Sequence, residues 1–460
     1  MSSELPDDHS ETQPLRSPIS RAHRRSDEQE CVAPVRSVSE PPNHAHNFRL
    51  AVIYMVFMRT GWIFKTESII MPAVLDVIGG SGWLRGCLPM LNRLGQSLPP
   101  MLASDRVRGA KLKKLGLFAT TSTMGVCFLL LAAIWAITEG AKSWWLPVVF
   151  LLIYGVFFTA TGINMVILNT ISGKLIRVDR RGRLSLLGTV IGASVAVVCG
   201  WYFLDRWLVD GSGVDGGRAN FEMIFLVTGI TFLGAAVVGL FLREAPDEDL
   251  IRRRGGRDLL MAAYEIFQAD RNFRRLAIIA ALFGMSLTLF PHYQRLGRDR
   301  LDLGLSALIP WVLAQNIGAA LFSIPTGWLA DRYGNRLVLK LIMVVLCIAP
   351  LLALAIAWSD ELQSAWFTIV FGLLGLTPVA MRFLNNYTLE IATRDEHPSY
   401  LSTLAFAMAA PPILLSPLIG ALIDSVGFEL IFAIVTGCVF VGWLLVFTLS
   451  EPRKLSSGSK

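Results

Sequence analysis

Between residues 50 and 449, stretches of mainly apolar residues recur twelve times: 50–77, 83–103, 115–138, 144–171, 184–204, 221–242, 276–294, 305–329, 337–358, 365–392, 400–426 and 428–449. Each is close to the ~20 residues that a helix needs to cross the hydrocarbon core of a bilayer. In lipid, backbone N–H and C=O groups must bond within their own segment, so segments of this length span as helices. Composition agrees with that reading. Only 17% of the chain is charged and its mean hydropathy is +0.53, whereas a soluble chain carries about 25% charge. The expectation is an all-α integral membrane protein with twelve transmembrane helices. The second segment is the least apolar and the easiest to miss.

The pI near 9.2 invites a nucleic-acid reading, but the positions of the charges argue otherwise. Of 42 Lys and Arg, 22 fall in alternate loops and six in the others. That asymmetry is the positive-inside rule at work. "DRVRGAKLKK" (105–114), "KLIRVDRRGR" (174–183), the connector 243–275 and "DRYGNRLVLK" (331–340) therefore face the cytoplasm, with both termini, and the membrane is the cell membrane. Lipid is a partner and nucleic acid is not. All cysteines except Cys31 lie inside spans without metal or disulfide spacing, so no cofactor is implied. No GxxxxGK[ST] motif is present, so transport energy would come from gradients. Four of six His precede residue 50, which leaves no cluster for an embedded enzyme.

The halves echo one another. "FLREAP" (241–246) ends helix 6 and "TLSEPR" (448–453) ends helix 12; "MLASDRVRGAK" (101–111) follows helix 2 and "GWLADRYGNR" (327–336) follows helix 8. Internal repetition is a mark of secondary transporters. The organisation expected is a disordered tail 1–49, a six-helix bundle 50–243, a connector 244–275 with an amphipathic helix, a second bundle 276–450 and a tail 451–460.

"GWLADRYGNR" resembles the loop signature of the major facilitator superfamily. "RRGRLSLLG" (180–188) and "LSPLIGALIDSVG" (415–427) are similar to that family's patterns too. The resemblance implies two pseudo-symmetric six-helix bundles, alternating access, a functional monomer and a cavity lined by helices 1, 4, 7 and 10. It also implies a conformational latch at Asp331 and Arg336, with Arg332 beside them and Gly327 allowing close helix packing. The first-half copy would use Asp105 and Arg106, but it has Pro100 where Gly is usual. Helix 5 lacks the Gly-Pro ending of the family's drug–proton antiporters, which counts against a multidrug pump.

Charges inside the spans indicate the cargo. Arg59, Lys65, Arg85, Arg93 and Arg382 are set against Glu67 and Glu390. Unpaired cations in a low-dielectric interior are costly, and an anionic solute would relieve that cost. Pro378, Arg382, Asn386 and Glu390 share one drifting helical stripe, and Arg85, Pro89, Asn92 and Gln96 share another. Lys65 and Arg382 are the leading substrate contacts, followed by Arg59 and Arg93, with Asn386, Asn164 and Gln315 as polar lining. Arg85, near a helix end, is expected to snorkel. Candidates for proton coupling are Glu67, Glu390 and His292, each with a structural alternative. The function expected is secondary transport of a small organic anion. The alternatives are efflux of drug-like or neutral solutes and, in another class, a solute sensor signalling through its tail.

Overall fold

The structure is a computed structural model that describes residues 43–209, 220–247, 256–359, 364–393 and 396–451. Expectations for the tail before residue 43, most of the 205–220 loop, the middle of the connector and the residues after Glu451 fall outside the described residues. Within them, every regular element is helical.

The first crossing is made in two pieces, α1 (His44–Phe64) and α2 (Ile70–Ile78). Five more follow: α3 (Gly82–Arg108), α4 (Lys113–Thr138), α5 (Leu146–Leu175), α6 (Val178–Val209) and α7 (Phe221–Leu240). A connector helix, α8 (Gly256–Ala269), leads to a second set. There the first crossing is again split, into α9 (Arg271–Thr288) and α10 (Phe290–Arg300), before α11 (Leu308–Tyr333) and α12 (Asn335–Trp358). The tenth crossing divides into α13 (Phe367–Leu374) and α14 (Thr377–Ile391), and α15 (His397–Val426) and α16 (Phe428–Val446) complete the set. Ten crossings are long and apolar enough to span a membrane by composition alone. The other two are α1–α2 and the polar α3. Because the crossings alternate in direction, residues 43 and 451 share one end of the molecule, the terminal end. Gly82 and Val426 lie at the opposite, far end.

The repetition in the sequence has a structural cause. Asn47 in α1 docks the exit of α7: its amide donates to the Arg243 carbonyl at 3.0 Å and its oxygen accepts from the Arg243 N–H at 2.9 Å. Asn272 in α9 does the same for the exit of α16, accepting from the Ser450 N–H at 3.0 Å. The Tyr387 hydroxyl, which accepts from Asn272, donates to the Ser450 carbonyl at 2.6 Å. "FLREAP" and "TLSEPR" are thus the two docked exits. The next residue in the first copy, Glu244, accepts from the Lys114 N–H at 2.8 Å and from Lys174 at 3.0 Å. Just beyond it, hydrogen bonds from Lys113 and Lys174 hold the Asp247 carboxyl below the usual carboxylate range.

The "GWLADRYGNR" loop is a tight turn. Gly334 has φ +90°, a conformation that a β-carbon disfavours, and it lets α12 start directly after α11. Arg336 donates to the carbonyls of Phe447 (2.5 Å) and Val446 (3.5 Å), satisfying the orphan acceptors where α16 ends. These contacts lie within the second half. Arg332 lies over the rings of Trp328 and Tyr333, each at 5.5 Å. Gly327 departs from its expected role: a β-carbon there would meet nothing within 4 Å, so no helix packs closely against it. Gly327→Ala should therefore leave transport unchanged. It should also leave the melting temperature unchanged or raise it, since Ala favours a helix by about 1 kcal/mol over Gly. A loss of several degrees in a thermal melt would show that the position is packed after all.

Candidate functional site

The three split crossings break at one level. After α1, Lys65 has φ −104° and ψ 24°, and the Thr66 hydroxyl donates to the Ile63 carbonyl at 2.7 Å. The Thr66 carbonyl then accepts the N–H groups of Ile70 and Met71, which starts α2. Pro291 follows the bend between α9 and α10, and Pro378 follows the one between α13 and α14. Proline has no N–H to continue a helix through such a point, yet it suits the first turn of the next one. These breaks, with the middles of α3 and α11, enclose a cavity of about 330 Å³.

Its wall has a charged side and an apolar side. Arg59, Glu67 and Arg93 line it, with the amides Asn92, Gln96, Gln315 and Asn316. Trp62, Pro89, Leu287, Phe290, Pro378 and Met381 supply the apolar part. Glu67 accepts from Asn92, which in turn accepts from Gln96, while Glu67 Oε1 has no hydrogen-bond partner among the described residues. Arg93 reaches across to the Met381 sulfur at 3.9 Å. Among the described residues, neither Arg59 nor Arg93 has a carboxylate within 4.0 Å.

Above the cavity, the far end is shut by contacts between the halves. Asp76 at the end of α2 is only 3% exposed. It accepts from Arg85 at 2.6 Å and from Gln294 of α10 at 2.7 Å, with Arg295 and Arg298 each 3.9 Å away. Arg85 also reaches Asp424 of α15 at 3.2 Å, and the other oxygen of Asp424 accepts the Gly82 N–H at 2.5 Å. Backbones touch here. A β-carbon on Gly420 would fall against the Gly82 carbonyl, and one on Gly86 against Ser416. Nearer the cavity, the Ser68 hydroxyl donates to Gln315 at 2.7 Å.

A sequence profile described as Major Facilitator Superfamily matches residues 296–460. No curated protein matches the sequence. A variant of the nucleoside transporter NupG superposes with TM-score 0.69 at 13% identity, covering 88% of this chain and 100% of its own. A D-xylose-proton symporter gives 0.63 at 12% identity, covering 89% and 99%. A POT family transporter in complex with 5-aminolevulinic acid gives 0.65 at 10% identity, covering 89% and 96%. The sequence match covers less than half of the chain, and the likeness to these solved transporters is one of fold. Its helices form two sets of crossings around the cavity, the fold seen in those transporters.

Within this fold, the residues picked out from the sequence fall into distinct places. Arg59, Lys65, Glu67, Arg93 and Gln315 belong to the cavity wall, but the Lys65 ammonium is turned away from it under four aromatic rings. Arg382 is outside the cavity proper. It is exposed one turn beyond Pro378, on a stripe that continues the cavity towards the terminal end. Asn386 and Glu390 are half-buried further along α14. Asn164 does not line the cavity. Its amide donates to Thr121 (2.7 Å) and Thr120 (3.0 Å) and its oxygen accepts from Tyr54, tying α1, α4 and α5 together. The fourth crossing therefore supplies no polar lining, and α3 and α11 supply it instead. His292 is fully buried away from the cavity, with both ring nitrogens unpartnered among the described residues. Arg85 does not snorkel: it is 2% exposed and paired. Arg106 is exposed, and the Asp105 side chain lies outside the described residues.

Two features escaped the sequence reading. Asp76 closes the span 50–77 and looks like a boundary acid, although only nine residues separate it from Arg85 across a "GGSG" turn. Besides Trp62, the rings around Lys65 come from α5, where "YGVFF" (154–158) reads as ordinary apolar filling.

Proposed function

We propose that the cavity carries a small organic anion with an apolar body, such as an aromatic or short-chain carboxylate, by alternating access. The observation that carries this reading is the pair Arg59 and Arg93, two cations on the cavity wall without a carboxylate partner and opposed by the single acid Glu67. A guanidinium grips a carboxylate through two parallel N–H bonds, and its worth rises where water is excluded. The cavity volume is at the small end of the range for ligand pockets. On this reading the terminal end faces the cytoplasm of a cell membrane and the chain acts as a monomer. Glu67, with one oxygen unpartnered, carries the coupled proton.

The four wall amides favour a second reading, a neutral hydroxylated solute, and two of the similar structures are named for nucleoside and D-xylose transport. Thermal-shift titration of the purified protein with benzoate, glucose 6-phosphate, uridine and xylose separates the two. Anions alone should stabilise it; stabilisation by uridine or xylose alone would overturn the anion reading. In proteoliposomes, an acid-outside gradient should drive uptake of the stabilising anion, and Glu67→Gln should abolish that drive while leaving exchange intact.

A further inference from the structure

Lys65 sits at the break of the first crossing, yet its charge is placed like that of a guest. Its ammonium lies 3.7 Å from the ring centre of Trp62, 4.3 Å from Phe158, 4.9 Å from Phe157 and 5.6 Å from Tyr154. The residue is 0% exposed, and among the described residues its Nζ has no hydrogen-bond acceptor. Rings on several sides of a desolvated ammonium are the arrangement by which proteins recognise alkylammonium ligands. Here the occupant is the chain's own lysine. Trp62 is shared: it roofs the box and also lines the solute cavity.

We infer that Trp62, Tyr154, Phe157 and Phe158 form a cation-binding box whose built-in occupant, Lys65, leaves it to meet an anion in the cavity. In the box the three N–H donors of the ammonium are unused. A carboxylate in the cavity offers them charge-assisted hydrogen bonds that aromatic faces cannot match. The flexible four-carbon stem allows the swing, since it starts from a residue that already belongs to the cavity wall. A lysine packed against rings, with no hydrogen bond to a carboxylate, is free to change partner. The release half of this proposal rests on the anion reading; the box itself does not.

Truncation to alanine removes the equivalent of n-propylammonium, and that molecule is the probe. At about 10 mM it should raise the melting temperature of Lys65→Ala by at least about 3 °C. The isosteric neutral 1-propanol should not, and wild type, with its box filled, should not respond. Adding Trp62→Leu to Lys65→Ala should remove the shift. No shift, or an equal shift with 1-propanol, would overturn the cation box. For release, Lys65→Met keeps the box filled with a neutral chain and should weaken benzoate binding about tenfold or more, and an unchanged dissociation constant would overturn it. Should Lys65→Met fail to fold, wild type serves: n-propylammonium should tighten benzoate binding by entering the vacated box, as reciprocal linkage requires. An indifferent wild type would again overturn release. Failure of wild type to bind any anion would instead sink the anion reading and leave the alanine result standing.

Discussion

Arg93→Gln should reduce uptake of the transported anion by about a hundredfold while leaving the protein folded. The size follows from position. The guanidinium lines the cavity, contacts Met381 of the opposite half and, among the described residues, has no carboxylate within 4.0 Å, Glu67 acting on it only from further off. Losing one charge-assisted pair in a partly enclosed cavity costs about 2–5 kcal/mol of binding, and each 1.4 kcal/mol is about tenfold. Arg59→Gln should behave similarly in uptake. Its apo form should melt no lower than wild type, because removing an unpaired wall cation relieves a desolvation cost rather than breaking an ion pair. Arg382→Gln should cost less than about tenfold, since its exposed side chain is screened by water. Radiolabelled uptake in proteoliposomes, with thermal melts of the same preparations, measures all three. Equal uptake by Arg93→Gln and wild type would remove the basis for an anionic cargo.

The scaffold was legible in the sequence because lipid imposes one constraint on every crossing. The twelve apolar stretches became helical passes, ten of them long and apolar enough to span a membrane by composition, and the echoed exits became the two asparagine docks. What was not legible traces to a single physical cause at the first crossing. Placing side chains by 100° per residue assumes an unbroken helix, and the chain breaks at Lys65. Beyond that point the angles no longer say where a side chain goes, so Lys65 was read as facing the solute rather than the rings of α5.

Asn164 shows the complementary limit. A polar residue inside a membrane helix must find a partner, but the sequence does not say whether that partner is a solute or another helix. Here Tyr54, Thr120 and Thr121 use both of its functions. The family resemblance pointed to the fourth crossing as lining, and local hydrogen bonding decided otherwise. The same resemblance directed attention to Arg336 and the terminal end. The cross-half contacts described above instead gather at the far end, along the Ser416, Gly420 and Asp424 stripe of the "LSPLIGALIDSVG" segment.

That stripe yields the second large effect. Asp76→Asn should open the far end. Asp76 is the hub of the closure: it takes Arg85 and Gln294 and faces Arg295 and Arg298. Neutralising it leaves Arg85 dependent on the half-exposed Asp424 and sets three guanidinium groups around an uncharged amide. Removing one partner of a buried ion pair costs about 3–5 kcal/mol, and the closed state alone bears that cost, since opening lets water reach the arginines. A shift of that size moves a two-state equilibrium by about two to nearly four orders of magnitude. Spin labels at Trp83 and Val426, exposed positions at the far ends of α3 and α15, should report a longer distance in Asp76→Asn than in wild type. Gly420→Leu should give the same lengthening by a different route, because its side chain would displace the Gly82 backbone. Uptake should fall in both variants, because a carrier that rarely closes its far end rarely releases cargo at the other. If both variants kept the wild-type distance, the Asp76 cluster would be a fixed brace between the halves, and the moving closure would have to lie elsewhere.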